Sequence, residues 1–328
     1  MAFFSEIAQG LGAVTAPKGK SARLTVLLYH RVLAQHDPLM PLVPDAAGFD
    51  AQISALSQVF RILDLEESLG RLRAGTLPPR SLCITFDDGY RDNLEVAAPI
   101  LKRYGASATF FIATGFIDGG RMVHDTIVET VRRLPMQDID LTWIGLGTTP
   151  LSDVNSRIAL IDRFVSKVKY LDFGVRQAAC ERLTSYVDES LPTDLMMTSD
   201  QLRQLAGSGM SIGAHTHDHP ILAKITNEEA LAQIVQSRET LADMMNVVPM
   251  LFAYPNGKPN LDYRARHVGL VKLAGFIGAV SVSAGTASRE SDHFQVPRFV
   301  PWDSNPRNLI LRILAQPWRH RETPLAAE

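Results

Sequence analysis

Short, unbroken apolar runs alternate along this chain with stretches whose apolar residues recur at helical spacing. Leu24 to Tyr29 is such a run and reads as a strand buried on both faces. From Phe49 to Val59 the spacing turns helical, with Phe49, Ile53, Leu56 and the following Phe60 on one face. Phe60 to Leu63 reads as the next short strand, Leu65 to Leu72 as a helix, and Leu82 to Phe86 as a strand. Leu94 to Tyr104 reads as a helix that Gly105 ends. Ala108 to Ala113 is rich in β-formers, and Ser211 to Ala214, Met250 to Ala253 and Gly278 to Val282 follow in the same style. Repeated strand-then-helix units predict a parallel sheet flanked by helices.

Two stretches depart from this rhythm. Residues from about 118 to about 200 are mostly helical in pattern, as in Ala159 to Tyr170 and Val175 to Val187. That is too long for a simple loop, so a helical insertion that covers or borders the site is expected. Residues 316–328 are polar and contain proline, which predicts a flexible tail behind a domain spanning 20–315.

The length, 328 residues, suits a single α/β barrel. With 46% hydrophobic and 21% charged residues the balance is that of a soluble globular protein. Lys and Arg number 33 against 35 Asp and Glu, a formal charge of −2, which argues against a nucleic-acid partner. Cys83 and Cys180 are too far apart for a metal or redox motif, and Cys83 sits in an apolar run. The stretch from Met1 to Gly12 lacks a basic start and a long apolar segment, and no run reaches membrane-spanning length. A cytoplasmic protein is the expectation. Met1 to Val14 has the weak amphipathic pattern of a helix that touches a membrane or a partner. Nothing in the sequence sets an oligomeric state.

Two motifs carry chemistry. In Thr85-Phe86-Asp87-Asp88-Gly89-Tyr90 adjacent carboxylates follow an apolar strand. Sites in parallel α/β folds form at the carboxyl ends of strands. Adjacent residues there point in different directions, so one carboxylate can hold a metal while the other faces substrate. Asp-Gly is equally a plain turn signal, and alone the motif supports either reading. In His215-Thr216-His217-Asp218-His219-Pro220 three histidines fall within five residues, in a chain with nine. Imidazoles with one carboxylate form a facial set that leaves positions open for water and substrate. Which pair of the three ligates is left open.

Taken together, these motifs resemble the polysaccharide deacetylase family, carbohydrate esterase family four. Ala108-Thr109-Phe110-Phe111-Ile112 and Phe252-Ala253-Tyr254-Pro255-Asn256-Gly257 resemble further stretches of that family, so the likeness runs from about residue 24 to 301. It implies a distorted (β/α) barrel, usually of seven strands, and N-deacetylation of an N-acetylated sugar in glycan, exopolysaccharide or lipid-linked saccharide metabolism. It implies a divalent metal, often zinc, on Asp88, His215 and His219, with Asp87 as general base. Tyr254, Pro255 and Asn256 would face substrate, and the Asn256 N–H would stabilise the oxyanion.

The chain departs from the family where it matters. An Arg usual two residues before the motif proline is Ala253 here, and the fourth-motif Asp and Trp are not recognisable. The C-terminal Leu-x-His is missing, since His293 and His320 lack that context. Leu28-Tyr29-His30-Arg31 resembles the N-terminal motif of the poly-N-acetylglucosamine deacetylase branch, which implies His30 as general acid. In Gln295-Val296-Pro297-Arg298-Phe299 the candidate for the missing cation is Arg298, also counted among the substrate-binding residues. Two other functions stay in view. One is deformylation or other small-amide hydrolysis on the same scaffold; the other is a glycan-binding relative without catalysis.

Overall fold

The computed structural model describes residues 2–319 and 325–327. In chain order the elements are α1 (Ala2–Thr15), β1 (Thr25–Tyr29), α2 (Ala46–Val59), β2 (Arg61–Ile62), α3 (Leu65–Ala74) and β3 (Ser81–Asp88). A π-helical turn, Asn93–Ala97, leads into α4 (Ala98–Arg103), followed by β4 (Thr109–Ile112) and α5 (Val123–Arg133). Next come β5 (Ile139–Leu141), β6 (Gly147–Thr149), α6 (Val154–Val168), α7 (Phe173–Thr184), α8 (Ser199–Gly207), β7 (Ser211–Ala214) and α9 (Asn227–Met245). The last elements are β8 (Leu251–Ala253), α10 (Ala265–Leu273), β9 (Gly278–Val280) and α11 (Pro306–Arg319).

Seven of these strands form one parallel sheet in the order β1-β3-β4-β7-β8-β9, with β2 attached to β3. The segment from Val296 to Phe299 brings its ends together. Val296 bridges to Val280 of β9 on one side, and Phe299 bridges to Leu27 of β1 on the other, both in parallel sense. The sheet therefore curls into a distorted (β/α) barrel, as the family resemblance implies. Every residue of β3 is buried, the signature of a central parallel strand, and it carries Asp87 and Asp88 to the barrel mouth.

Strand alternation divides β3 between two environments. Phe86 faces the helices and stacks on Phe110 of β4 with ring centroids 4.7 Å apart and on Tyr29 of β1 at 5.3 Å. Phe49 of α2 meets Phe86 edge-on at 5.9 Å. Thr85 and Asp87 face the barrel interior.

The segment from 118 to 200 has its own apolar core. Val128 and Val131 of α5, Leu160 and Phe164 of α6 and Leu183 of α7 pack together, joined by Leu39 and Met40 from the loop after β1. The mostly helical pattern expected here is observed, with one small sheet added to it. The antiparallel pair β5–β6, only three residues per strand, was too short to leave a periodic signal.

The expected flexible tail needs correction where it is described. Helix α11 continues to Arg319 in spite of Pro317. The Ala326 N–H donates to Gln295 Oε1, and Asn260 pairs with the backbone of Leu325 and Ala327. Residues 320–324 and 328 lie outside the described residues. Helix α1 packs beside α2 and α11, and Ile7, Leu11 and Val14 remain exposed. No described helix is long and apolar enough to cross a membrane.

The aromatic stack behind the site should carry a large share of the fold's stability. Phe110 is fully buried, and Phe110→Ala is expected to lower unfolding stability by about 3–5 kcal/mol in urea denaturation. A loss below about 1 kcal/mol would show that the stack is dispensable.

Candidate active site

Asp87 and Asp88 are neighbours in sequence but not in environment. Asp87 receives both arms of the Arg298 guanidinium, Nη1 to Oδ1 at 2.6 Å and Nη2 to Oδ2 at 2.7 Å. Arg298 is held in turn by the Ser281 carbonyl at 3.2 Å and the Thr85 hydroxyl at 3.3 Å, and its side chain is wholly buried. The Phe111 ring lies beneath the guanidinium, 5.6 Å away. Gly213 makes room for that ring, because a Cβ there would stand 2.4 Å from it. Burial alone would raise the Asp87 pKa, but Arg298, with help from His215, offsets this and holds it at about 2. Asp87 is a carboxylate throughout the ordinary pH range.

Asp88 ends the strand with a left-handed backbone, φ 81°, and Gly89 follows at φ 96°. This turn swings the second carboxylate out of the strand's alternation and away from Arg298. Its Oδ1 is buried and has no hydrogen-bond partner. Burial, then the negative charges of Asp87 and Asp125, push its pKa well above the usual carboxylate range.

Two imidazoles face that carboxylate. The Nε2 atoms of His215 and His219 each lie 3.6 Å from Asp88 Oδ1 and 3.2 Å from one another. The Nδ1–H of His215 donates to the Ala253 carbonyl at 2.7 Å, which leaves its Nε2 as a bare acceptor. Thus Ala253, which replaces an expected Arg, still serves the site through its backbone. Burial, followed by the charge of His215, holds the His219 pKa well below its ordinary value. The loop carrying these ligands adopts positive φ at Thr216 (65°) and His219 (53°). Among the described residues, Asp88, His215 and His219 form the one such cluster whose ligand atoms converge within 4.8 Å. Three donor atoms turned on each other around an orphaned buried carboxylate oxygen fit a divalent cation, and no other neighbour neutralises that charge.

His217 stands apart. Its Nδ1 pairs with the Thr114 hydroxyl at 2.9 Å, and its backbone N–H donates to Gln233. The choice among the three histidines that spacing left open is therefore His215 with His219.

The cluster opens into a cavity of about 1100 Å³. His30, Asp88, His219 and Asn256 line one side, and α5, α6 and α7 line the other. His30 is held by its carbonyl, which accepts from Asn93 Nδ2 at 2.9 Å. Its side chain is exposed to the cavity, while crowding by the protein around it, against the pull of Asp87, lowers its pKa to about 4. His30 therefore rests as neutral imidazole, not as the imidazolium that its role as acid suggests. Asn256 adopts φ 57°, and its N–H donates to no acceptor among the described residues.

Three of the four expected substrate-binding residues are placed differently. Tyr254 is buried, stacked on Tyr263 at 3.9 Å, and its hydroxyl donates to the Phe294 carbonyl. Neither Tyr254 nor Pro255 lines the cavity, so they shape the turn that presents Asn256. Arg298 is sealed beneath Asp87 and meets that carboxylate, not the cavity. Of the C-terminal histidines, His293 lends its carbonyl to the Ala279 N–H, while His320 lies outside the described residues.

Sequence reasoning missed the Arg31 network. Arg31 pairs with Asp92 at 2.8 Å and Asp125 at 3.5 Å, with its guanidinium 4.6 Å from the Tyr90 ring centre. It also missed His124 on the cavity wall. The two ion pairs of Arg31 join residues 61 and 94 positions apart, and no local pattern marks them.

Comparison with known proteins agrees with this geometry. The family model described as Polysaccharide deacetylase matches residues 74–141 and 173–275, leaving 142–172, which hold the β5–β6 turn and α6, unmatched. The protein YxkH of Bacillus subtilis is 21% identical over 281 residues, covering 85% of this chain and 71% of its own. A poly-beta-1,6-N-acetyl-D-glucosamine N-deacetylase of Staphylococcus aureus is 43% identical over 70 residues, which is 21% of this chain and 24% of that protein. The deacetylase PplD of Streptococcus pyogenes, solved with acetate, superposes with a TM-score of 0.60 at 20% identity, covering 89% of this chain and 98% of its own. That likeness establishes the shared fold.

Metal binding to this cluster should appear as folding stability. Zinc at a hundredfold excess over its Kd is expected to raise the unfolding free energy by about 2.7 kcal/mol. In His215→Ala the increment should disappear, whereas Asp87→Asn should retain most of it. An undiminished increment in His215→Ala would place the ion elsewhere.

Proposed function

Because this chain belongs to the polysaccharide deacetylase family, we propose that it is a metal-dependent hydrolase that removes N-acetyl groups from an N-acetylated saccharide. The single observation that carries the reading is the divergence of two adjacent carboxylates. Asp87 is neutralised by Arg298, and Asp88 faces two imidazoles without a cation of its own. Chemically, one is a base and the other a ligand. The Staphylococcus aureus relative is named for a deacetylase acting on poly-N-acetylglucosamine, which favours an acetamido sugar over a peptide or nucleic acid.

Asp88, His215 and His219 would hold the ion, and a donor set of two imidazoles and one carboxylate suits zinc. When bound, such an ion polarises the amide carbonyl and acidifies water. Asp87 lies 3.7 Å from His215 Nε2, beside the ligand set but not part of it. Arg298 fixes both of its oxygens, so the carboxylate is oriented to take a proton from the attacking water. The Asn256 N–H, with no protein acceptor, is available to the developing oxyanion.

His30 lies on the same cavity wall and would protonate the departing amine. Neutral at rest, His30 would first take up the proton that Asp87 draws from the attacking water, an uptake favoured by negative charge gathering on the amide oxygen, and then pass it to the amine. Arg298 takes the place of the family's orienting Arg from a different strand position.

The test is acetate release from N-acetylglucosamine oligosaccharides, with and without chelator. Release that stops with chelator and returns with zinc supports the reading. Binding without release would favour a glycan-binding protein, and formate release from formamido sugars alone would favour a deformylase. Asp87→Asn should lower kcat by about 10²–10⁴-fold with metal content unchanged. Full turnover in that variant would remove Asp87 as base.

His30→Ala should impair cleavage of an acetamide far more than cleavage of an activated acetate ester, whose leaving group needs no proton. His124→Ala, on the opposite wall, should show no such selectivity. A larger selective loss in His124→Ala would transfer the acid role to that residue.

A further inference from the structure

The cavity is larger and more apolar than removal of an acetyl group requires. At about 1100 Å³ it exceeds the roughly 300–1,000 Å³ usual for a small-molecule site. The wall facing the metal cluster is aliphatic and aromatic, built by Ile127 of α5, Val165 and Val168 of α6, and Phe173 of α7. Sugar hydroxyls call for hydrogen-bonding partners; Thr126, Gln177 and Thr184 on the same helices can supply some, but these four side chains supply none. They suit a hydrocarbon chain.

The same wall carries one carboxylate, Glu181, held by Gln177, and two cations whose side chains make no ion pair. Arg31, also in the cavity, is paired with Asp92 and Asp125, and Arg121 donates to the Thr126 hydroxyl and the Pro192 carbonyl. Lys169 and Arg176 differ. Among the described residues neither side chain makes an ion pair or hydrogen bond. The Arg176 guanidinium sits 5.7 Å from the Phe173 ring centre, and its Nε is buried without a partner. Lys169 Nζ sits 5.6 Å from the Tyr170 ring centre, reached at longer range by Asp262 and, with opposite sign, Lys258. Arg176 also stands near the reacting end. It lines the same cavity as Asp88 and His219. An enclosed, unpaired guanidinium is costly unless an anion meets it.

Apolar walls, two free cations and a hydrolytic centre share one cavity. We propose that the saccharide substrate is amphiphilic: an acetamido sugar joined through a phosphate to an apolar chain. Its phosphate meets Lys169 and Arg176, and its chain lies among α5, α6 and α7. A carboxylate ends a chain, whereas a phosphodiester keeps its charge while linking sugar to chain. The sugar end rests on the deacetylase reading; the phosphate and chain ends do not.

Binding is measured first, by calorimetry on the zinc-loaded full chain with methyl octyl phosphate, dimethyl phosphate and octyl glucoside. Methyl octyl phosphate should bind at least tenfold tighter than dimethyl phosphate, with at most about fourfold gained per methylene from butyl to octyl. Arg176→Gln should weaken methyl octyl phosphate about tenfold and octyl glucoside less than twofold. Lys169→Gln, on a half-exposed side chain, provides the second variant, and thermal melts confirm that both remain folded. Acetate release is measured second. N-acetylglucosamine 1-(octyl phosphate) should show a lower KM than N-acetylglucosamine oligosaccharides, with methyl octyl phosphate competing. Equal affinity for methyl octyl and dimethyl phosphate, or no change in both variants, overturns the proposal. Hydrolysis of oligosaccharides with no competition by methyl octyl phosphate also overturns it and leaves the deacetylase reading standing. Binding as expected with no acetate from any substrate supports the cavity assignment and removes the deacetylase reading instead.

Discussion

Two carboxylates one residue apart at the mouth of a barrel repel one another, and burial makes the repulsion worse. In this protein the Arg298 guanidinium resolves the conflict by engaging Asp87 alone, with both arms. Asp87 is held ionised, and Asp88 is left as an uncompensated buried acceptor. A buried pair of this kind is a weak device for stability, since desolvation offsets most of the attraction. Its value lies in placing charge. The unlike states of Asp87 and Asp88, and the convergence of Asp88, His215 and His219 on room for a cation, both follow from it.

The pair depends on how the barrel closes. Arg298 lies on the segment that bridges β9 to β1 and completes the ring of staves, and its guanidinium meets the side chain that β3 turns inward. Phe111 and the small Gly213 provide the floor. A family position that elsewhere supplies an Arg is Ala253, yet its carbonyl fixes the tautomer of His215. The orienting charge has thus moved from one strand end to another without leaving the barrel interior. The insertion, with its own apolar core, roofs the same mouth and gives the site its enclosed, aliphatic side.

Much of this was legible in the sequence, for identifiable reasons. Strands such as Thr25–Tyr29 and Ser81–Asp88 are unbroken apolar runs because they are buried on both faces, and helix α2 shows its stripe because one face packs on them. Asp87, Asp88 and the His215–His219 loop announce themselves because ligands at strand ends cluster locally in sequence. Arg298 was reachable only through a missing neighbour, a cation that had to come from somewhere. What sequence could not show is set by side-chain direction and long-range contact. Tyr254 turned inward to Tyr263, His217 turned to Thr114, and Lys169 with Arg176 were left unpaired in a cavity. The three-residue strands β5 and β6 and the docked Leu325–Ala327 segment are too short to leave a period.

The most direct test of the account is anomalous diffraction from a crystal of the full chain grown with zinc. The account predicts one ion within about 2.0–2.2 Å of Asp88, His215 and His219, with Asp87 still bidentate on Arg298. An ion ligated by Asp87, with that carboxylate swung off Arg298, would contradict it.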